Sequence, residues 1–269
     1  MKRSDRPKRA ALITGASRGV GAATAQLLAE RGFDIGAGYR NKERRALRVC
    51  SDLARLGARG VPLQADLTSA ADVDRMFRTY DSAFDSLDLL VLNASGGLEQ
   101  HHDSQYPLRV NRDAQLAVLE AAAGRMQPGG RILYVTSHLA HDYGRTPMPP
   151  AYEPVARAKR AGEDALRERI PDLQHRGLRL FVISGGLIAD TVTSRLLEYQ
   201  LKGITAAHLA AAGELLTIGA FAEAIASCAD LEAESGHTVY AGAREYGPAA
   251  EILGIPDPRA ASRKGTATT

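Results

Sequence analysis

Short apolar runs alternate along the chain with longer segments in which apolar residues recur at helical spacing. Glycine, proline or polar residues bound each run, a pattern typical of buried strands. The predicted strands are Ala10–Ile13, Asp34–Tyr39, Val61–Ala65, Leu87–Leu92, Ile132–Thr136, Leu178–Ile183 and Thr238–Ala241. Because helices alternate with these strands, the sequence predicts an α/β fold. We expect one Rossmann-like, doubly wound parallel sheet of about seven strands.

The segments between the predicted strands have the apolar spacing of helices, and Ser69 is a predicted N-cap. The predicted helices are Ala22–Arg31, Lys42–Leu56, residues 70–84, Gln105–Met126, Pro154–Gln174 and Ile218–Leu231. No internal repeat or linker is visible, so residues 10–255 are predicted to form a single domain. The basic residues 1–9 and the Pro-, Ser- and Thr-containing residues 256–269 are expected to be loose tails.

Composition narrows the possible functions. The 269 residues are 45% hydrophobic and 24% charged, which suits one compact domain. The 34 basic and 31 acidic residues are dispersed, so no nucleic-acid partner is expected. No apolar run is long enough to cross a bilayer, and two distant cysteines suggest neither a disulfide framework nor a metal site. We therefore expect a cytoplasmic protein with no membrane partner and no metal.

The turn after the first predicted strand is rich in glycine. Gly15, Gly19 and Gly21 separate this strand from the helix that begins near Ala22. Glycine lets the backbone approach a phosphate with no Cβ in the way, and the amides of a helix N-terminus attract an anion. A purely structural turn is the alternative. The order strand, turn, helix favours a dinucleotide pyrophosphate site.

Candidate functional residues follow several of the other predicted strands at the same end. Arg40, Asp66, Asn93 and Ser137 each come directly after or close to the end of a strand, as does Gly186. The carboxyl ends of parallel strands meet at one edge of the sheet, where such folds bind their ligands. These residues therefore indicate one site on one domain.

These residues resemble the short-chain dehydrogenase/reductase family over about residues 10–247. Thr14 to Gly21 is similar to its Thr-Gly-x-x-x-Gly-x-Gly turn, and Asn93 to Gly96 to its Asn-Asn-Ala-Gly turn. Thr136-Ser137 resembles the Ser-Ser pair that ends the fifth strand, and Ser184 to Ile188 the Pro-Gly turn beside the nicotinamide. The resemblance implies a nicotinamide-dependent oxidoreductase, in the form of a homodimer or homotetramer.

The resemblance also implies roles for individual residues. Ser137 corresponds to the catalytic serine, Lys159 to the catalytic lysine, and Asn111 to the helix residue that orients this lysine through water. The implied cofactor contacts are Gly15, Ser17, Arg18, Gly19, Val20, Gly21, Arg40, Asp66, Leu67, Asn93, Ala94, Ser95, Lys159, Gly186 and Ile188. Each of the three catalytic candidates also has a structural alternative: Ser137 as a turn cap, Asn111 as a polar residue inside a helix, Lys159 as an exposed lysine.

The chain departs from the family at the catalytic tyrosine, which the family carries four residues before its lysine. Val155 occupies that position here, and valine has no proton to donate. The candidate replacements are Tyr152, Tyr143, His138 and His141, with water as a further proton source. Tyr152 precedes the helix predicted to begin at Pro154, so a bent loop would bring its hydroxyl toward Ser137, and it is taken as a catalytic candidate. Its alternative role is packing against substrate or core.

Two arginines bear on the choice of cofactor. Arg40 follows the second strand, where an NAD enzyme offers a carboxylate to the ribose, and Arg18 lies in the glycine turn. Two guanidinium groups there would hold a 2′-phosphate by charge-assisted hydrogen bonds. The alternative is that both are solvated surface residues. The arrangement favours NADP(H).

Residues 190–216 occupy the region of the family's substrate lid. The apolar residues of this segment are Leu196, Leu197, Tyr199, Leu201 and Ile204, with Arg195 and His208 as polar candidates. An apolar lid favours a hydrophobic, aromatic or polyketide-like small molecule. Plain core helices are the alternative.

Three functions remain open from the sequence. The first is NADP(H)-dependent reduction of a carbonyl or activated double bond. The second is a lyase, isomerase or cyclase that uses the nucleotide only as structure. The third is an NADP(H)-binding module with a decayed site. The position of Val155 separates the first function from the other two.

Overall fold

The computed structural model describes residues 9–98 and 103–243 and contains one parallel seven-stranded sheet. The strands are β1 Arg9–Ile13, β2 Phe33–Tyr39, β3 Gly60–Gln64, β4 Leu87–Leu92, β5 Met126–Ser137, β6 Arg179–Gly185 and β7 Thr238–Ala241. Their order is β3-β2-β1-β4-β5-β6-β7, and every neighbouring pair is parallel. The predicted Rossmann-like fold is therefore confirmed.

Helices cover both faces of the sheet. They are α1 Gly19–Glu30, α2 Glu43–Arg55, α3 Ala70–Asp81, α4 Tyr106–Leu108, α5 Ala114–Ala123, α6 His138–His141, α7 Glu153–Arg167, α8 Ile170–His175, α9 Val192–Gln200, α10 Ile204–Ala212 and α11 Ile218–Ser227. A π-helical turn, Arg109–Asp113, joins α4 to α5, and a 3₁₀ turn, Cys228–Asp230, follows α11. None of the described helices is long and apolar enough to span a membrane.

The strands are apolar because both of their faces are buried. In β1, Ala10 and Leu12 pack into the core on one side of the sheet, whereas Ala11 and Ile13 pack into the core on the other. Successive side chains of a strand point to opposite faces, so a strand covered twice needs a continuous apolar run. This requirement explains why the strands could be predicted from the sequence.

Several predicted boundaries were wrong. The predicted helix 105–126 contains the π-helical turn and ends at Ala123, because Met126 already pairs with Leu87 at the start of β5. The predicted helix 154–174 is two helices, since α7 ends at Arg167 and α8 begins at Ile170 with a proline in its first turn. Residue 9 belongs to β1 rather than to the predicted tail. The remaining predicted tail residues, 1–8 and 256–269, lie outside the described part of the chain, as do residues 244–255 of the predicted domain.

The order in which the chain adds strands reverses at β1, which pairs with β2 on one side and β4 on the other. The chain therefore winds outward in both directions from this point, and a crevice opens beyond the carboxyl ends of β1 and β4. The turns that follow these two strands form the floor of the candidate site.

Helix α7 crosses the π-helical turn at Gly162. A Cβ atom at this position would lie 2.0 Å from the carbonyl oxygen of Asn111, a backbone atom that cannot rotate away. Gly162→Ala should therefore lower the free energy of unfolding by about 1–3 kcal/mol or more, measured by urea denaturation. Gly219→Ala is the matched control, because a Cβ in α11 at that position meets nothing within 4 Å. This second variant should be neutral or slightly stabilising, and equal losses in both variants would contradict the argument.

Candidate active site

One cavity of about 780 Å³ lies at the carboxyl ends of the strands. Among the residues to which the family resemblance assigns a role, Asn111 alone does not line it. The lining includes Gly15, Ser17, Arg18, Gly19, Val20, Gly21, Arg40, Asp66, Leu67, Asn93, Ala94, Ser95, Ser137, Tyr152, Lys159, Gly186 and Ile188. The structure therefore brings the candidates from six different strand ends to a single cavity.

The glycine turn has the backbone geometry that its composition predicts. Gly15 and Gly19 have φ angles of +69° and +56°, a region that favours glycine. A Cβ at Gly21 would lie 2.5 Å from the carbonyl oxygen of Gly15, so α1 packs against the turn only because residue 21 has no side chain. The N-terminus of α1 begins at Gly19, at the edge of the cavity, where its dipole favours an anion.

Hydrogen bonds join the turns that follow β1 and β4. The backbone amides of Asn93 and Ala94 both donate to Thr14 Oγ1 at 3.0 Å. Asn93 Nδ2 donates in return to the carbonyl oxygens of Thr14, at 3.0 Å, and Gly15, at 3.3 Å. These bonds hold together the two turns that form the floor of the cavity, between β1 and β4.

The Ser137 and Tyr152 side chains meet in the cavity, at the ends of β5 and of the loop before α7. Their hydroxyl oxygens are 2.9 Å apart, and the Tyr152 side chain is nearly buried, with 5% of the residue exposed. Tyr152 is the N-cap residue of α7, and Pro154 lies in the first turn of that helix. The proline therefore fixes where the helix begins but does not prevent the Tyr152 ring from pointing toward Ser137. Burial raises the pKa of Tyr152, and the Ser137 hydrogen bond offsets part of this rise. Ser137 Oγ also accepts from the amide of Ala140 as the cap of α6, so the serine has the structural role of a turn cap as well as its bond to Tyr152.

Lys159 lies on α7 and is almost fully buried. Its ammonium donates to the carbonyl oxygen of Val135 at 3.2 Å. Burial lowers the pKa of Lys159 to about 8, and the nearby Glu163 carboxylate opposes this shift. Val155 lies one helical turn before the lysine, lines the cavity and packs with Tyr152 in a small apolar cluster. A cation poised near neutral pH thus borders the cavity beside these residues.

The depressed pKa of Lys159 predicts a pH dependence of stability. Because the unfolded chain binds the proton more tightly than the folded one, the contribution of this group to stability rises between pH 8 and pH 10.5. It is complete above the unfolded pKa and is lost as the pH falls through about 8. The difference in unfolding free energy between wild type and Lys159→Met, measured in urea across this range, should follow that window. A pH-independent difference would contradict the assignment.

Asn111 lies in the π-helical turn behind the cavity wall. Its side-chain amide donates to the carbonyl oxygens of Gly96 and Pro107, both at 2.9 Å. Its Oδ1 atom accepts from the Ser95 hydroxyl, also at 2.9 Å. Asn111 therefore holds the turn after β4, and its link to the cavity passes through Ser95.

The other candidate proton donors named from the sequence have different environments. The Tyr143 hydroxyl donates to Glu153 at 2.6 Å, and the His141 ring bonds to Glu163 and Tyr240, both at 2.9 Å. Neither Tyr143 nor His141 lines the cavity. His138 does line it, with its imidazole bonded to the Ser184 hydroxyl at 2.8 Å. In the described part of the chain, no three His, Cys, Asp or Glu residues are grouped as a metal site would require.

Helices α9 and α10 form one wall of the cavity. Leu196, Leu197, Ile204 and His208 line it, with Arg195 at its rim. Tyr199 was wrongly expected there: the residue is 80% exposed, on the outer face of α9. Leu201 does not line the cavity either, although it packs against the apolar cluster that contains Tyr152, Val155 and Leu197. Burial lowers the pKa of the His208 imidazole below its usual value.

Four basic residues surround the end of the cavity next to β2. Arg18 and Arg40 were predicted, whereas Lys42 and Arg45 were missed. Lys42 directly precedes α2, and Arg45 lies in its first turn, so the helix start carries both toward the end of β2. The structure also adds Tyr106, whose hydroxyl accepts a hydrogen bond from Arg40.

This geometry defines a class of protein. A glycine turn at the reversal point of a parallel sheet, with a basic end and a hydroxyl pair in the same cavity, is typical of Rossmann-like dinucleotide-binding enzymes. Residues 9–200 match the short chain dehydrogenase family. The chain belongs to this family of oxidoreductases and is a single domain of that fold.

Similar proteins include reductases. The chain is 30% identical over 202 residues to the hydroxynaphthalene reductase-like protein Arp2 of Metarhizium majus (strain ARSEF 297), a match that spans 72% of this chain and 73% of that protein. A short chain dehydrogenase from Burkholderia cenocepacia J2315 in complex with NADP is 26% identical, with a TM-score of 0.72 over 87% of this chain and 96% of the other. The angucycline C-6 ketoreductase LanV with bound NADP is 25% identical, with a TM-score of 0.71 over 86% and 93%.

Proposed function

We propose that the protein is an NADP(H)-dependent reductase of a carbonyl or activated double bond in a hydrophobic, aromatic or polyketide-like small molecule. One observation carries the proposal. The Ser137 and Tyr152 hydroxyls, 2.9 Å apart, share a cavity with the glycine turn that fits a dinucleotide. A hydroxyl pair of this kind suits the oxygen of a carbonyl undergoing reduction.

Three polar residues of the cavity would each have a task in this reaction. When bound, NADPH supplies the hydride. The Ser137 hydroxyl donates a hydrogen bond to the substrate oxygen and stabilises the negative charge that develops there. Tyr152 gives its proton to the same oxygen, and its raised pKa keeps the phenol protonated at neutral pH. Lys159 contributes the cation at this end of the cavity, beside the proposed nicotinamide ribose.

The basic end of the cavity supports a preference for NADP(H). Arg40→Asp should weaken NADPH binding by about tenfold to a hundredfold, because a charge-assisted bond is replaced by repulsion of the 2′-phosphate. NADH binding should be kept or improved, since a carboxylate accepts from the 2′-hydroxyl. Dissociation constants from nucleotide fluorescence would measure both. Arg44→Asp makes the same charge change on α2 outside the cavity lining and should leave the NADPH-to-NADH ratio unchanged.

The apolar wall from α9 and α10 supports a hydrophobic substrate. Val192, Leu196, Leu197 and Ile204 supply its apolar surface, and we infer that residues 190–216 act as the substrate lid. The names of the similar proteins, a hydroxynaphthalene reductase-like protein and an angucycline ketoreductase, favour aromatic or polyketide-like ketones.

The test follows both reactants. The protein is incubated with NADPH and a panel of aromatic ketones, quinones and enones, while nicotinamide absorbance and substrate mass are recorded together. Loss of NADPH matched by a mass gain of two hydrogens is the expected result. A changed substrate with constant absorbance would favour a lyase, isomerase or cyclase. Tight NADPH binding with no chemistry across the panel would favour a binding module.

A further inference from the structure

A hydrogen bond crosses the basic end of the cavity and joins the end of β2 to the start of α4. Arg40 follows β2, and its Nη1 donates to the Tyr106 hydroxyl at the start of α4, at a distance of 2.5 Å. Both residues line the cavity. We propose that Tyr106 is a positioning residue that holds Arg40 for the 2′-phosphate and thereby contributes to the choice of NADPH over NADH. This inference rests on the proposed NADP(H) preference.

The sheet order explains why this bond spans the crevice. β2 and β4 are not neighbours, because β1 lies between them. Strands in a sheet are about 4.8 Å apart, so the ends of β2 and β4 are separated by roughly 10 Å, with the glycine turn of β1 in the gap. The Arg40 side chain reaches across from the β2 side, and the Tyr106 ring reaches from the segment that follows β4. Their bond therefore joins the β2 side of the cavity to the β4 side.

Tyr106 is itself firmly held. Only 7% of the residue is exposed, and its hydroxyl lies beside the backbone at Gly96. The Arg109 guanidinium stacks over its ring at 5.9 Å, and Asp103 pairs with that guanidinium at 2.8 Å. A fixed acceptor of this kind can restrain a partner that is long and flexible.

Arg40 is such a partner. It is exposed at the cavity edge, and an unrestrained arginine loses considerable rotamer freedom when it binds an anion. The guanidinium carries five N–H donors in a planar fork, so a bond to the Tyr106 hydroxyl is compatible with a contact to a phosphate. Tyr106 would thus reduce the entropy lost on NADPH binding, whereas NADH has no 2′-phosphate to benefit.

The test is a binding cycle that needs no substrate. Dissociation constants for NADPH and NADH are measured by nucleotide fluorescence for wild type, Tyr106→Phe, Arg40→Gln and the double variant. Tyr106→Phe should weaken NADPH by about threefold to tenfold and change NADH by less than about twofold. In the Arg40→Gln background the same change should have no further effect on NADPH, because the residue being positioned is gone. Tyr199→Phe, on the exposed outer face of α9, is the matched control and should bind both nucleotides as wild type does.

The outcomes separate this inference from the proposed function. If Arg40→Gln weakens NADPH and Tyr106→Phe does not, the positioning role is overturned while the cofactor assignment stands. Equal losses for NADPH and NADH in Tyr106→Phe would indicate a structural role and also overturn it. If Arg40→Gln leaves NADPH binding unchanged, the proposed 2′-phosphate site fails together with the inference.

Discussion

Tyr152→Phe should reduce the turnover number by about 10²–10⁴ while leaving the NADPH dissociation constant unchanged. The change removes only the hydroxyl that lies 2.9 Å from Ser137. The ring stays in its apolar cluster with Val155 and Leu197, so the fold and the cofactor end of the cavity are preserved. Stopped-flow or steady-state loss of NADPH absorbance with the best ketone of the panel measures the first quantity, and fluorescence titration measures the second.

A second tyrosine provides the control for this variant. Tyr143→Phe also removes one hydroxyl close to α7, but that hydroxyl donates to Glu153 and does not line the cavity. It should reduce turnover by less than about threefold, well below the effect of a lost general acid. Full activity in Tyr152→Phe would exclude this phenol as the proton donor. The proposal would then pass to water as the acid or to a function without net hydride transfer.

The fold could be predicted because its strands are buried on both faces. The continuous apolar runs and the glycines at 15, 19 and 21 are local signals, and local signals were sufficient for the sheet. The interruption of the helix at 109–113 was missed because its residues have an unbroken helical pattern. Its register is fixed by contacts distant in sequence. These are the hydrogen bond from Asn111 to Gly96 and the close packing of Gly162 in α7 against the Asn111 carbonyl. No nearby residue carries that information.

The candidate site shows the same division. Residues that directly follow strands were predicted, since the end of a strand fixes where they lie. Lys42, Arg45 and Tyr106 were missed, because they reach the cavity only through the way α2 and α4 pack. Tyr199 was misassigned because the apolar pattern of α9 does not tell which face meets the cavity. The face that a short helix turns toward a cavity depends on the elements that pack against it, and these elements are distant in sequence.

The position of Tyr152 relative to Lys159 is the distinctive feature of this cavity. The two residues are seven positions apart on one side of α7, about two helical turns, whereas Val155 lies one turn before the lysine. The phenol therefore reaches Ser137 from the very start of the helix. Val155 fills the intermediate position and packs with Tyr152 in the apolar cluster.

Restoring a phenol at position 155 should recover activity that Tyr152→Phe has lost. In the double variant Tyr152→Phe/Val155→Tyr, the new hydroxyl starts one turn before Lys159, and the buried ammonium would lower its pKa toward the working range. A general acid contributes about 10²–10⁴ in rate, so even a poorly placed hydroxyl should raise ketone reduction about tenfold above Tyr152→Phe alone. The larger ring also crowds the apolar cluster at a cost of about 1–3 kcal/mol, which thermal unfolding would reveal.

Tyr152→Phe/Val155→Phe isolates the hydroxyl from this crowding. It carries the same bulk at position 155, so loss of stability and obstruction of the cavity should be similar in the two double variants. A rate advantage for tyrosine over phenylalanine at 155, at equal NADPH affinity, then reports proton donation by the new phenol. Equal rates in the two variants would mean that position 155 does not face the reacting oxygen. In that case a phenol could deliver its proton from position 152, just before α7, but not from the helical turn that precedes Lys159.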